Sequence, residues 1–156
     1  DEAVTIRVGG NHIQVDIPGL RFTSKLIDGR FPDYTRVVPE GGAYEMRADR
    51  ETLRQALART SILSNEKYKG VRLALNGSGL SVQTHNPDQE EAEEEIEVEY
   101  AGEALEIGFN VVYLLDILGS IEGDTVQAQF NDSNSSCLIT DVASDECRHV
   151  VMPMRL

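Results

Sequence analysis

The sequence predicts an α+β fold in which two helices pack on antiparallel sheets, preceded by part of another domain. Two observations lead to this prediction. From residue 44 onward, a strand-helix-strand-strand-strand order occurs twice, in segments of about equal length. Residues 3–27, in contrast, read as strands alone. Two such repeats can bury both helices against paired sheets, so we assign 1–43 to the end of one domain plus a linker, and 44–156 to a second domain.

The first part of the chain predicts three strands followed by a connection. Residues 4–8 and 13–17 alternate apolar and polar side chains, and a Gly-Gly-Asn turn separates them. A third strand follows a Pro-Gly break and covers 20–27. Residues 28–42 are rich in glycine and proline, which predicts a linker.

The first repeat contains one helix among its strands. Asp49 is a good N-cap, and the apolar spacing predicts a helix from there to about Leu63. An Asn-Gly-Ser-Gly sequence at 76–79 predicts a hairpin turn. The strands predicted for this repeat are 44–48, 71–75, 80–84 and 94–100.

The second repeat has the same order of elements. Asn110 is the predicted N-cap of a helix that extends to about Ile121. The strands predicted for this repeat are 104–109, 125–130, 136–140 and 149–154.

Composition restricts the functional class. The 156 residues are 40% hydrophobic with a net charge of -13, which suits a soluble cytoplasmic protein and argues against a general nucleic-acid binder. No apolar run reaches the roughly 20 residues of a membrane helix. The chain opens at Asp1 with neither a signal peptide nor an initiator Met, so we expect a fragment or a processed chain.

The residue types that carry catalysis are present but not arranged for it. His12, His85 and His149 are scattered, and no nucleophile-elbow or phosphate-binding motif occurs. Cys137 and Cys147 are not spaced like zinc ligands and are expected to be reduced thiols. We therefore predict no enzyme activity, no cofactor and no metal. A hydrolase that uses the acidic run at 90–95 remains the alternative.

Several longer stretches resemble one known family, the bacterial DNA sliding clamp, the beta subunit of the replicative DNA polymerase III. The resemblance covers essentially the whole chain. The stretches that carry it are FTSKL at 22–26, DGRFPDY at 28–34, ILSNEK at 62–67, NP at 86–87, QEEAEE at 89–94, IGFN at 107–110 and VVMPMRL at 150–156.

The resemblance implies both a fold and a function. Clamp subunits have three domains of the DNA clamp fold and form a head-to-tail homodimer around duplex DNA. This chain would supply the end of the second domain and the whole third domain. The implied function is that of a processivity factor at the bacterial replication fork, which tethers DNA polymerases, the clamp loader and repair proteins to DNA. Because encirclement needs no tight phosphate contact, it is compatible with an acidic chain. A peptide-binding adaptor without a DNA role is the rival hypothesis.

The resemblance also implies a groove that binds a short, largely apolar peptide containing leucine and an aromatic residue. Exposed methionines near the C-terminus suit a surface that accepts several related ligands. Tyr113 could equally be an ordinary boundary residue, and Val151 is expected to fill the core. Tyr68 and Asn134 stand where relatives carry more apolar residues. The expected groove residues are Pro32, Arg36, Val37, Tyr68, Asn110, Tyr113, Asn134, Ser136, Val150, Met152, Pro153, Met154, Arg155 and Leu156.

Two further surfaces follow from the resemblance. Ile62 falls opposite the core face of its helix, and with Leu63 it would contact the partner subunit, although a lone exposed isoleucine is common. The acidic edge would meet a basic edge of that partner, or serve only as a solvated strand edge. Its residues are Glu90, Glu91, Glu93 and Glu94. Arg50 and Arg54 would face the DNA, or lie on an ordinary polar helix face.

Overall fold

The computed structural model describes residues 3–30, 33–39 and 41–155. The chain divides into two compact units, Asp1–Asp33 and Tyr34–Leu156. The division lies ahead of the boundary predicted near residue 43, because the predicted linker packs with the second unit. Ala43 N–H donates to Asn131 Oδ1 at 3.1 Å. A side chain at Gly42 would come within 2.7 Å of Gln129 Cβ, so this segment lies close against the rest of the second unit.

The first unit is an antiparallel sheet of three strands, as the period-two pattern predicts. Its strands are β1 (Thr5–Val8), β2 (His12–Ile17) and β3 (Leu20–Lys25), joined in the order β1-β2-β3. The register aligns Ile6, Val15 and Phe22 across the three strands, which makes one face apolar. On the other face, Asp16 forms ion pairs with Arg7 and Arg21.

The second unit contains the two repeats. The first repeat comprises β4 (Tyr44–Asp49), α1 (Arg50–Ser61), β5 (Gly70–Asn76), β6 (Gly79–His85), β7 (Glu91–Glu97) and β8 (Glu99–Tyr100). The second repeat comprises β9 (Leu105–Asn110), α2 (Val111–Ser120), β10 (Thr125–Phe130), β11 (Cys137–Asp141) and β12 (Ser144–Val151). Both predicted N-caps are confirmed: Asp49 Oδ1 accepts from Thr52 N–H at 2.8 Å, and Asn110 Oδ1 accepts from Val112 N–H at 2.9 Å.

The two repeats exchange their first strands. The strand order is β12-β11-β10-β4-β8 in one sheet and β7-β6-β5-β9 in the other. Strand β4 of the first repeat thus pairs with β10, and β9 of the second repeat pairs with β5, both antiparallel. Since each sheet needs a strand from both repeats, the two repeats form one folding unit rather than two.

A single apolar core lies between the helices and the two sheets. One side of each helix is buried in it. These residues are Leu53, Ala56, Leu57 and Thr60 of α1, and Val111, Leu114 and Leu118 of α2. Leu63, which was predicted at the subunit interface, is half-buried, because α1 ends at Ser61 and the chain turns there. Burial of each leucine side chain contributes roughly 1.5–3 kcal/mol to folding.

Two predicted strands differ from those found. The strand predicted at 94–100 is two strands in different sheets, β7 and β8, which separate at Val98. Val98 is buried, and its N–H donates to Ser78 O at 2.8 Å, so the chain crosses there between the sheets. The strand predicted at 149–154 is β12, which starts earlier and ends at Val151. Pro153 has no N–H to donate, which prevents a longer ladder.

Neither of the helices described is long and apolar enough to span a membrane.

Candidate partner-binding groove and interface surfaces

The N-terminus of α2 and the loop after α1 lie against each other. Val111 N–H donates to Lys69 O at 2.8 Å, and Asn110 Nδ2 donates to Tyr68 O at 3.4 Å. These bonds satisfy groups at the helix start and place Tyr68 beside Asn110. The side chains of Tyr68 and Tyr113 are 55% and 60% exposed, so two large aromatic rings remain accessible near this helix end.

The C-terminal segment after β12 lies along the same region. Val151 is buried in the core, as predicted, whereas Met152 is 63% exposed. Met154 N–H donates to Gly108 O in β9 at 2.9 Å. The segment therefore leaves the five-stranded sheet at Val151 and bonds to the edge of the four-stranded one, which leaves the exposed Met152 between the two anchored ends.

A second group of predicted groove residues lies around Val37. Ser136 Oγ donates to Val37 O at 3.1 Å, which holds the segment after Tyr34 against the start of β11. Val150 pairs with Leu138 within the sheet. Asn134 is exposed and lies in a turn whose N–H groups bind Asp132 Oδ1. These donors lower the pKa of Asp132.

Three predicted groove positions fall outside this description. Pro32 and Leu156 are not among the described residues, and neither is the side chain of Arg36, whose backbone belongs to the 3₁₀ turn Tyr34–Arg36.

A cavity of about 320 Å³ lies beside the C-terminal segment. Tyr68, Met154 and Arg155 line it and were predicted as site residues. Six other lining residues were not: Asn65, Gly70, Gln83, His85, Asn86 and Pro87. They come from two separate parts of the chain, 65–70 and 83–87, and no spacing in the sequence connects these with the C-terminal segment.

The predicted subunit-interface residues lie at one end of α1 and on an edge strand. Ile62 is the C-cap of α1 and is 78% exposed, which confirms that it points outward. The acidic residues lie on or just before β7, the edge strand of the four-stranded sheet. Glu94 is ion-paired with Arg59 of α1, and this interaction lowers the pKa of Glu94.

Two of the other acidic residues also have partners within the chain. Glu93 accepts from Ser81 Oγ at 2.7 Å and Gln83 Nε2 at 2.8 Å, and these donors lower the pKa of the Glu93 carboxyl. Glu90 accepts from Asn86 Nδ2 at 2.7 Å. Glu91 is exposed at the start of β7. The edge is thus charged, and several of its carboxylates are held by partners within the chain.

The two predicted DNA-facing arginines differ in their surroundings. Arg50 donates to Gly123 O at 2.9 Å and to Leu118 O at 3.3 Å, and its side chain is 23% exposed. It therefore covers carbonyl groups at the C-terminal end of α2. Arg54 is more open and forms a bidentate pair with Glu51 at 2.7 and 2.9 Å. Hydrogen bonds from Arg54 and Gln55 hold the pKa of Glu51 at about 2.

Potential metal ligands and the two cysteines decide whether the residues that the structure describes could hold a metal ion or a reactive thiol. Among the residues described, no three His, Cys, Asp or Glu side chains are grouped to hold a metal ion. Cys137 is buried, and burial raises its thiol pKa to about 12, so the thiolate is not available near neutral pH. Cys147 is exposed, and it forms no disulfide.

Comparison with known sequences shows the same family across the second unit and beyond it. The family model described as DNA polymerase III beta subunit, C-terminal domain, matches residues 35–155. The beta sliding clamp of Pseudomonas putida is 54% identical over 153 residues, which cover 98% of this chain and 42% of that relative. The beta sliding clamp of Escherichia coli K12 is 47% identical over 156 residues, or 100% of this chain and 43% of that relative.

Solved structures agree with the sequence relatives. The DNA polymerase III subunit beta from Pseudomonas aeruginosa, 54% identical, superimposes with a TM-score of 0.87 and covers 98% of this chain and 42% of its own. Caulobacter crescentus pol III beta, 36% identical, gives a TM-score of 0.88 over 98% of this chain and 41% of its own. A Pseudomonas aeruginosa sliding clamp bound to griselimycin, also 54% identical, gives a TM-score of 0.83 over 98% of this chain and 42% of its own.

These matches confirm the expected α+β clamp fold, and the chain spans about two fifths of the length of the relatives it matches. The family model covers most of the chain, and the relatives are 47–54% identical over nearly all of it, so the chain belongs to the DNA polymerase III beta subunit family, the beta sliding clamps.

Proposed function

We propose that this chain forms part of a ring-shaped, non-catalytic processivity clamp that encircles duplex DNA in the bacterial cytoplasm. In this proposal it tethers DNA polymerases, the clamp loader and repair proteins through the groove beside its C-terminal segment. The observation that carries the proposal is the convergence of Tyr68, Asn110 and Met154 at the start of α2. The hydrogen bonds of Asn110 and Met154 hold the backbone there while large apolar side chains remain exposed.

The domain assignment is part of the proposal. Unit Asp1–Asp33 is the end of the second clamp domain, and unit Tyr34–Leu156 is the third. The match of the C-terminal domain model from residue 35 supports this division. The exposed apolar face of β1-β2-β3, which includes Ile6 and Phe22, suits a sheet whose packing partners belong to the rest of its domain.

The groove suits a short apolar peptide. Met152 is unbranched and polarizable, so it adapts to leucine or aromatic side chains of different partners. Tyr68 and Tyr113 offer apolar rings with a polar tip, which raises the polarity of one wall of the groove. A motif with leucine and an aromatic residue is expected to bind with micromolar affinity, about -8 kcal/mol.

The ring and its DNA contact follow from the same assignment. Ile62 and Leu63 form the apolar part of the proposed homodimer interface, and the acidic edge at 90–94 sets register and partner choice. A net charge of -13 disfavours tight phosphate binding, which suits a ring that slides. Arg54 supplies a cationic group on the proposed DNA side, and Arg50 contributes mainly to the end of α2.

Fluorescence anisotropy tests the groove. The probe is a labelled peptide whose leucine and phenylalanine are flanked by alanines. We expect micromolar binding to the intact chain and at least tenfold weaker binding, on the order of 1.4 kcal/mol, after removal of Met154-Arg155-Leu156. Equal affinity for the two chains refutes the groove assignment.

A second variant separates binding from folding. The deletion removes the Met154 bond to Gly108, so it affects the backbone as well as the groove. Met152→Ala changes an exposed side chain without a strand partner, and we expect it to weaken the peptide while unfolding stays unchanged. Val142→Ala, also exposed but in the β11–β12 turn, is the matched control and is expected to bind like the intact chain.

A further inference from the structure

The cavity beside the C-terminal segment extends past the proposed groove. Its floor is the outer face of the four-stranded sheet, where the side chains of Gln83 and His85 point away from the core and Gly70 also lines the floor. The loop after α1 and the turn at 86–87 form two walls, and Met154 with Arg155 forms another. Tyr68 and the C-terminal segment belong to both the proposed groove and the cavity, so a peptide bound in the groove can continue into the cavity.

The carboxamides that line the cavity are partly occupied by hydrogen bonds within the chain. Asn65 Oδ1 accepts from Lys67 and Tyr68 N–H groups at 2.9 and 3.0 Å. Asn86 binds Glu90 through both its side-chain nitrogen and its oxygen. Gln83 Nε2 donates to Glu93 Oε1 at 2.8 Å. These bonds help give the cavity its shape, but among the described residues no hydrogen bond engages Asn65 Nδ2 or Gln83 Oε1.

Three other lining groups are uncommitted. Over residues 3–30, 33–39 and 41–155, no side-chain hydrogen bond or ion pair engages the Arg155 guanidinium, the His85 ring or the Tyr68 hydroxyl. Each of them can donate a hydrogen bond, and arginine can only donate. Lys67 Nζ, 5.2 Å from the Tyr68 ring centroid, adds a second positive charge nearby.

A ligand group that only accepts hydrogen bonds can use all three of these donors. A carboxylate satisfies this condition and pairs well with a guanidinium. The preference for a carboxylate is local, because the chain as a whole has a net charge of -13 and repels acidic molecules at long range. At about 0.15 M salt the screening length is about 8 Å, so the balance is set by groups at the cavity itself. Arg155 and Lys67 favour a carboxylate there, while Glu90 and Glu93, which are bonded to the lining residues Asn86 and Gln83, oppose it.

We propose that this cavity receives an aspartate or glutamate side chain that flanks the apolar motif of a partner peptide. Arg155 pairs with the carboxylate, while His85 and Tyr68 donate hydrogen bonds to it. The inference rests on the proposed groove, because the groove delivers the flanking residue to the cavity.

Three labelled peptides test the proposal on the intact 156-residue chain. One is the alanine-flanked reference, and the others carry aspartate two residues before or two residues after the leucine-phenylalanine pair. We expect one aspartate peptide to bind about three- to tenfold more tightly than the reference at about 0.15 M salt. His85→Glu should abolish this gain and leave the reference affinity within about twofold, since His85 lies outside the groove.

The control is His12→Glu, the same charge change on an exposed histidine of the first unit, and it should keep the full gain. Arg155→Glu should remove the gain as well. If the reference binds but neither aspartate peptide gains, the cavity proposal is wrong and the groove proposal survives. A gain that persists in both His85→Glu and Arg155→Glu also overturns it. If the reference itself fails to bind, both proposals fall.

Discussion

Arg50 offers a sharp test of how the second unit is held together. Its guanidinium contacts two carbonyl groups beyond its own helix, Leu118 O at the end of α2 and Gly123 O just after it. Arg50 also begins α1, where a positive charge opposes the helix dipole. Replacement by alanine therefore removes a favourable interaction with α2 and an unfavourable one with α1.

The magnitude follows from comparing the two effects. Hydrogen bonds from a charged donor contribute about 1.5–3 kcal/mol, and the lower end applies to a side chain that retains solvent access. Relief of the dipole interaction in α1 returns about 0.5 kcal/mol. We expect a net loss of about 1 kcal/mol in the free energy of unfolding, or a fall of about 2–4 °C in Tm for a chain of this size.

Urea and thermal unfolding of three variants provide the measurement. Arg50→Met retains the aliphatic stem but no donor, and should lose nearly as much stability as Arg50→Ala. Arg54→Ala, one turn further along α1, breaks only an exposed pair with Glu51 and should change Tm by no more than about 1 °C. If Arg50→Ala is as stable as Arg54→Ala, the guanidinium does not stabilise the end of α2.

Three other predictions concern assembly, pH and DNA. In a full-length version, Ile62→Ala with Leu63→Ala should give a folded monomer. Its free energy of unfolding should fall by an amount on the order of 2 kcal/mol, because Leu63 is half-buried. A dimer at nanomolar concentration in analytical ultracentrifugation contradicts this prediction. Glu51 has its pKa lowered from 4.5 to about 2, so its contribution is present above pH 4.5 and lost as pH falls toward 2. Glu51→Gln should therefore flatten the acid limb of the Tm–pH curve. This chain alone should show no tight, strongly salt-dependent affinity for linear duplex DNA in a gel-shift titration, since encirclement needs the whole ring.

Much of the local structure could be predicted because its causes are local. The period-two pattern identified the three strands of the first unit, and the caps Asp49 and Asn110 marked the start of both helices. The helical period identified the buried side of α1, including Leu57, and left Ile62 outside. Each of these depends on residues within one or two turns of the chain, which the sequence displays directly.

The candidate site could be predicted only in part. The resemblance supplied Tyr68, Asn110 and the C-terminal methionines, and the structure brings these elements to one end of α2. It did not supply His85, because that residue reaches the cavity only through the position of β6 in the sheet. The hydrogen bonds of the carboxamides at Asn65 and Asn86 likewise depend on turns whose geometry the composition does not reveal.

By itself, the sequence determined the identity and order of the elements, the apolar faces and the family. The tertiary structure alone decided how they combine: the exchange of β4 and β9 between sheets, the crossing at Val98, and the bond from Met154 to Gly108. The physical reason is that strand pairing joins backbone groups distant in sequence. Every residue except proline offers the same backbone N–H and C=O, so the sequence does not show which of these groups will pair. The pairing of strands is fixed only when both sheets pack on the same core.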